Sequence, residues 1–232
     1  MPFTFSHPAV VLPLTYIDKR KFSVTALTIG SITPDFEYFA NFQQQSNYSH
    51  TWLGVFWFNL PVSILLYVTY NRIVKNELID SLPRIIRSRV NKFRRPETTI
   101  YYKEKLLIIF TSLLIGIVSH LFWDKFLHRS VRLIEEPMDY YPIYWDVNSI
   151  AGAVVIAFII WKLPKSSVPR QNILSFWFLT LAVTIIVLMI RSTYSRGGRA
   201  MEVSLISGIL IGVFISSLVN LFWQKRTRRK RL

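Results

Sequence analysis

Four histidines, at positions 7, 50, 120 and 128, are the whole imidazole supply of the 232-residue chain. Two of them frame an H-x-x-x-D-x-x-x-H pattern made of His120, Asp124 and His128. On an α-helix a spacing of four advances about 400°, so successive members differ by about 40° in direction and about 6 Å in height. His120 and Asp124 can therefore grip one ion from a single helix face. His128 stands about 12 Å along the axis from His120, which suits a second ion or an outer role. Asp35, in the turn ITPDFEY, is one of the few acids of the first fifty residues, beside Asp18 and Glu37. Glu37 reads either as a general base or extra ligand, or as a plain surface carboxylate. Asp124 has a bland reading too, as a partner of Lys125, Arg129 or the Trp123 indole.

The elements that position these groups are long and apolar. Between Glu37 and Arg72 lie 34 consecutive uncharged residues, and between Lys105 and Asp124 lie 18. Further uncharged runs cover 147–161, 171–190 and 203–224. Segments of about 17–25 apolar residues match the thickness of bilayer hydrocarbon. The pattern predicts an all-α polytopic membrane bundle, read as one integral membrane domain. Its five spans fall at 51–70, 106–126, 147–163, 172–190 and 203–223. The small-xxx-small pairs Ser112/Gly116 and Gly208/Gly212 mark helix-packing faces. Residues 8–17 and 22–34 are too short to span and read as interfacial or re-entrant helices in an N-terminal segment, 1–50, that carries candidate ligands. In 77–93, apolar residues recur at helical spacing among Arg84, Arg87, Arg89 and Lys92, which predicts an amphipathic helix lying on an anionic leaflet.

Charge sets the expected orientation. The basic loop 71–105, the 162–171 loop and the tail 224–232 carry ten, three and six Lys+Arg, leaving nine of the 28 for the opposite side. The positive-inside rule therefore puts that basic side, with the C-terminus, in the cytoplasm of an inner membrane. His7, Asp35, His50, His120, Asp124 and His128 all then fall near the periplasmic or external face. Six nitrogen and oxygen donors at one face resemble a one- or two-ion site, and ionisable groups at the end of an apolar helix are costly unless paired.

Other functions are excluded. The net charge of +15 is spread between apolar segments rather than gathered on one surface, so no nucleic-acid partner is expected. With no Cys, disulfides, thiolate metal sites and cysteine nucleophiles are out. Neither H-E-x-x-H, G-x-S-G, a P-loop nor a Rossmann glycine pattern is present. The acidic, aromatic loop 129–146, with Glu135, Glu136, Asp139 and Tyr140, reads as an aromatic belt or as a roof over the site.

Four segments, MPFTFSHPAVVLPL, TALTIGSITPDFEYF, YSHTW and SHLFWDKFLH, resemble in the same order the uncharacterised bacterial membrane proteins classed as domain of unknown function 4184. These are in turn distantly similar to inner-membrane metal-dependent hydrolases and, through them, to zinc-dependent phospholipase C. The shared features are an early His, a P-D turn, a T-H-S-like His and H-x-x-x-D on a helix. The resemblance implies His7, Asp35, His50, His120 and Asp124 as ligands. His128 matches the nearer family alone. Zinc phospholipase C uses more histidines than this chain has, so one or two ions are expected.

The leading expectation is a membrane-embedded hydrolase holding a divalent metal, zinc before manganese or iron. Glu37 and His128 would handle protons, and membrane lipids or a lipid-linked phosphoester would serve as partner and substrate. The alternative is a non-catalytic membrane protein in which the same residues form a structural metal or hydrogen-bonded clasp. A transporter ranks last, since the cluster sits at a span end and no repeat relates the two halves.

Overall fold

The computed structural model describes residues 4–18, 20–43, 45–94, 102–133, 141–169, 173–194 and 198–229. Among them there is no strand. In chain order the α-helices are α1 (Pro8–Val11), α2 (Leu14–Ile17), α3 (Val24–Ile32), α4 (Phe36–Asn41), α5 (Leu60–Thr69), α6 (Lys75–Asp80), α7 (Arg84–Val90), α8 (Tyr102–Leu133), α9 (Tyr141–Lys162), α10 (Leu174–Tyr194) and α11 (Gly198–Arg229). Among the described residues, three stretches are long and apolar enough to cross a membrane: Lys105–Phe126 in α8, Leu174–Thr193 in α10 and Met201–Trp223 in α11. They coincide with three of the five expected spans. Residues 147–163 lie almost wholly in α9, and 51–70 are covered from Val55 by a π-helical turn (Val55–Asn59) and α5. Neither joins the three. Glu135, Glu136, Asp139 and Tyr140 lie outside the described residues.

The chain divides into two compact units, Met1–Glu37, Ser46–Tyr67 and Glu97–Lys162 forming the first, and Tyr38–Gln45, Val68–Pro96 and Leu163–Leu232 the second. The core of the first is the crossing of α3 on α8. Ala26, Leu27, Leu113, Ile117 and Leu121 are fully or almost fully buried there, and Val55 joins Ile117 and Leu121 in one cluster. The helices meet backbone to backbone. A Cβ on Gly116 would stand 2.6 Å from both the Leu27 carbonyl oxygen and the Ser31 nitrogen, so only glycine admits this approach. Ser112, one turn earlier, accepts the Ser23 backbone N–H at 3.0 Å, and the Ser23 hydroxyl caps α3 by accepting from Ala26. Ser112, Gly116, His120 and Asp124 are each four apart. The stripe that packs α8 onto α3 thus runs on into His120 and Asp124.

In the second unit α10 and α11 pair through small residues. Gly212 lies against the Thr180 carbonyl, Gly208 against Thr184, and the Thr180 and Ser216 hydroxyls are 3.0 Å apart. The expected loop from 71 is helical as far as Asp80, continuing through a second π-helical turn, Tyr70–Val74, into α6. The expected single amphipathic helix over 77–93 is instead two pieces. Pro83 breaks it, because proline brings no N–H and steers the preceding residue away from the α conformation. The arginines also point the other way from expectation. Arg87 and Arg89 are buried, with Arg87 donating to the carbonyls of Asp80 and Pro169 and Arg89 to that of Leu163. The irregular segment after α9 has carbonyls that need donors, and charged guanidinium groups supply them.

Candidate metal centre

Three short pieces of chain bring ligands to α8. His7 is the residue before α1, whose first turn begins with Pro8. Asp35 ends the 3-10 turn Thr33–Asp35. That turn exists because Pro34 cannot continue α3, and the Thr33 hydroxyl closes α3 by donating to the Ile29 carbonyl at 2.6 Å. His50 sits in the loop ahead of the turn Val55–Asn59, where Asn59 donates to the Ser49 carbonyl at 2.6 Å. A π-helical turn at such a place is a common device for aiming one side chain at a site.

Five of the seven residues singled out from sequence converge. His50 Nε2 lies 3.5 Å from Asp35 Oδ1 and 3.6 Å from Asp124 Oδ2. His120 Nε2 lies 3.4 Å and 3.5 Å from the same two oxygens. The four atoms form a closed ring of alternating nitrogen and oxygen. His7 flanks it, with Nε2 3.8 Å from Asp124 Oδ1 and its ring stacked on His120 at 3.9 Å. These separations exceed hydrogen-bond length. Asp35 Oδ1, His120 Nε2, both Asp124 oxygens and both His7 nitrogens are buried and make no hydrogen bond. Buried polar atoms without partners are costly, and a cation among Asp35 Oδ1, His120 Nε2 and the Asp124 oxygens would satisfy them. A tetrahedral ion with bonds of about 2.1 Å has ligand–ligand edges of about 3.4 Å, close to the ring's four sides. The donor groups lying within 4.8 Å of one another are two threes, His7/Asp35/His120 and His50/His120/Asp124. The buried His and Asp groups are therefore fitted to hold a metal ion.

The outer contacts point the same way. His120 Nδ1 is 2.7 Å from the Ser31 carbonyl oxygen. A carbonyl only accepts, so Nδ1 carries the proton when the ring is neutral and Nε2 offers its lone pair to the ring of donors. His50 Nδ1 is 2.9 Å from Ser49 Oγ. The Thr4 hydroxyl donates to Asp35 Oδ2, leaving Oδ1 for the centre. Burial, helped by the neighbouring His120, lowers the His7 imidazole to about 4, so it is neutral at pH 7. Burial works against ionisation of Asp35, but the imidazoles around it, His120 foremost, prevail and hold its carboxyl well below the usual range.

Glu37 turns elsewhere. Its carboxylate accepts the backbone N–H groups of Asn47, Tyr48 and Ser49 at 2.8, 3.2 and 2.8 Å. Burial alone would raise this carboxyl, yet those donors bring it below its ordinary value. The His50 loop is in effect wrapped round the Glu37 anion. The His128 side chain lies outside the described residues. Asp124 faces the three imidazoles, and Lys125 stacks over the Trp52 ring at 4.4 Å. Thr4, Ser31, Ser49 and Asn59 escaped the sequence reading. Ser31 acts only through its main chain, and Thr4 is an ordinary hydroxyl 31 residues from the carboxylate it holds. The signal that was available is the four-residue stripe from Ser112, which marks the face of α8 on which His120 must lie.

The family described as Domain of unknown function (DUF4184) matches residues 1–223, and the chain belongs to it. No curated protein and no solved structure matches the chain.

Proposed function

We propose that this chain is a membrane-embedded, metal-dependent hydrolase-like protein whose centre is formed by Asp35, His50, His120 and Asp124, with His7 on its flank. The observation that carries the reading is the ring of four donor atoms, spaced 3.4–3.6 Å apart. A mixed imidazole and carboxylate set suits zinc, and also manganese or iron. When bound, such an ion supplies Lewis-acid activation of water and of a phosphoester oxygen.

The chain's own residues do the rest. Ser31 and Thr4 orient His120 and Asp35, and Glu37 holds the loop that presents His50. His50 retains 17% side-chain exposure against 0–5% for the other four residues, so the approach to the centre runs past His50. His128, four residues beyond Asp124, is assigned the outer, proton-handling role. A centre at the end of an apolar helix suits a lipid or lipid-linked phosphoester and no nucleic acid. The remaining spans, 51–70 and 147–163, and a cytoplasmic C-terminus complete this reading, with the centre at the periplasmic or external face. The test is phosphoesterase activity of the metal-loaded protein in nanodiscs toward lipid phosphoesters. Metal-dependent turnover abolished in His50→Ala supports hydrolysis. A metal-loaded protein inert toward every phosphoester offered contradicts it.

The enclosure of the other four residues favours a second reading, a structural metal clasp that docks the N-terminal segment onto α8. Closed coordination is the mark of structural sites. In that case metal removal unfolds the N-terminal segment, and no substrate turnover accompanies the metal.

A further inference from the structure

The elbow between α6 and α7 turns two isoleucines outward and two arginines inward. Arg87 and Arg89 are 3% and 6% exposed, while Ile85 and Ile86 are 70% and 39% exposed. The arginines are committed to the carbonyls of Asp80, Pro169 and Leu163. On the other side, Ser166 donates to the Ser88 carbonyl through its N–H at 2.8 Å and its hydroxyl at 2.9 Å. Segment and helix are thereby laced together, and the isoleucine pair is held outward. Exposed Arg84 and Lys92 flank it. The level of the elbow is fixed as well. Trp177 donates its indole N–H to the Ser81 carbonyl at 2.6 Å, and Trp177 lies in the first turn of the apolar stretch Leu174–Thr193.

We propose that this elbow is a membrane-interface anchor, with Ile85 and Ile86 seated among the acyl chains of an anionic leaflet and Arg84 and Lys92 at its headgroups. The occupant follows from continuity and charge. A patch tied to the first turn of a bilayer-spanning helix lies where headgroups meet hydrocarbon, and a branched apolar pair rimmed by cations matches that boundary. The proposal rests on α10 crossing the membrane and is independent of the metal centre.

The chain has no cysteine, so single substitutions carry a probe cleanly. Ile85→Cys, Ile186→Cys in mid α10 and Arg20→Cys, 91% exposed, are each labelled with an environment-sensitive fluorophore. The full-length protein is then placed in nanodiscs of phosphatidylcholine with phosphatidylglycerol. The Ile85 label should be quenched by brominated acyl chains and be protected from aqueous iodide about threefold or more relative to Arg20. Arg84→Glu with Lys92→Glu should reduce that protection in the mixed discs and leave it unchanged in phosphatidylcholine alone. An Ile85 label as open to iodide as Arg20, with Ile186 protected, overturns the anchor and leaves the span intact. Iodide access at Ile186 overturns the span and the anchor with it. Should Ile85→Cys fail to fold, Ile86→Cys reports the same depth.

Discussion

The His120 imidazole and the Ser31 carbonyl oxygen are 2.7 Å apart, joining the turn of α8 that bears the centre to the last turn of α3. That contact exists because Gly116 lets the two helices touch. Packing and chemistry are therefore one arrangement here, since the crossing that buries Leu27 and Leu113 also aims Nε2 of His120. Gly116→Val puts methyl groups into the Leu27 and Ser31 main chain. It should cost about 1–3 kcal/mol of stability by overpacking and weaken metal binding about 10–100-fold through the lost orienting bond. Thermal unfolding and metal titration of the same sample check both halves.

Glu37→Gln removes the anion that three backbone N–H groups surround. The loop 47–49 should loosen, at about 1–3 kcal/mol, and metal affinity should fall because His50 is no longer presented. If Glu37 instead acts as a base, the variant keeps its metal affinity and loses only turnover. A metal titration beside an activity assay separates the two.

Thr4→Val is close to isosteric and takes away the hydroxyl that engages Asp35 Oδ2. Affinity for the metal should drop about tenfold or more, and Thr4→Ser should restore it. Equal affinity in all three proteins would show that Asp35 needs no such support.

Acid should release the metal. Burial opposes protonation of His50, but the Asp124 and Asp35 carboxylates outweigh it and raise its pKa above 6.5 in the metal-free protein. In that form His50 contributes stability fully present below 6.5 and lost as pH rises through its folded pKa. Metal binding has the opposite dependence, because an imidazole must shed its proton to ligate. Apparent affinity should climb roughly tenfold per pH unit for each proton displaced, until pH passes that pKa. Titration at several pH values reads the slope, and a flat profile rules out displacement of a proton from His50.

Much of this was legible in the sequence, for identifiable reasons. The spacing of His120 and Asp124 is a helical period, and the uncharged runs at 106–123, 171–190 and 203–224 are long enough to show through any local detail. The packing pairs Ser112/Gly116 and Gly208/Gly212 announced themselves by size alone. What failed was inference from periodicity across a proline. Residues 77–93 carry a helical pattern, but Pro83 cuts it, and the carbonyls of 163–169 draw Arg87 and Arg89 inward, a demand made by chain more than 70 residues away. The loop-holding contacts of Glu37 were hidden for a related reason. Its partners are main-chain N–H groups of Asn47–Ser49, and main-chain donors leave no mark on residue type.

The most direct test is metal analysis of the protein purified without chelators, wild type beside His120→Ala and Asp124→Ala, with helix content measured on each. About one equivalent of a divalent transition metal is expected in the wild type, with loss of it in both variants and α8 still helical. A metal-free wild type that takes up no zinc on titration, or variants that retain the full equivalent, would contradict it.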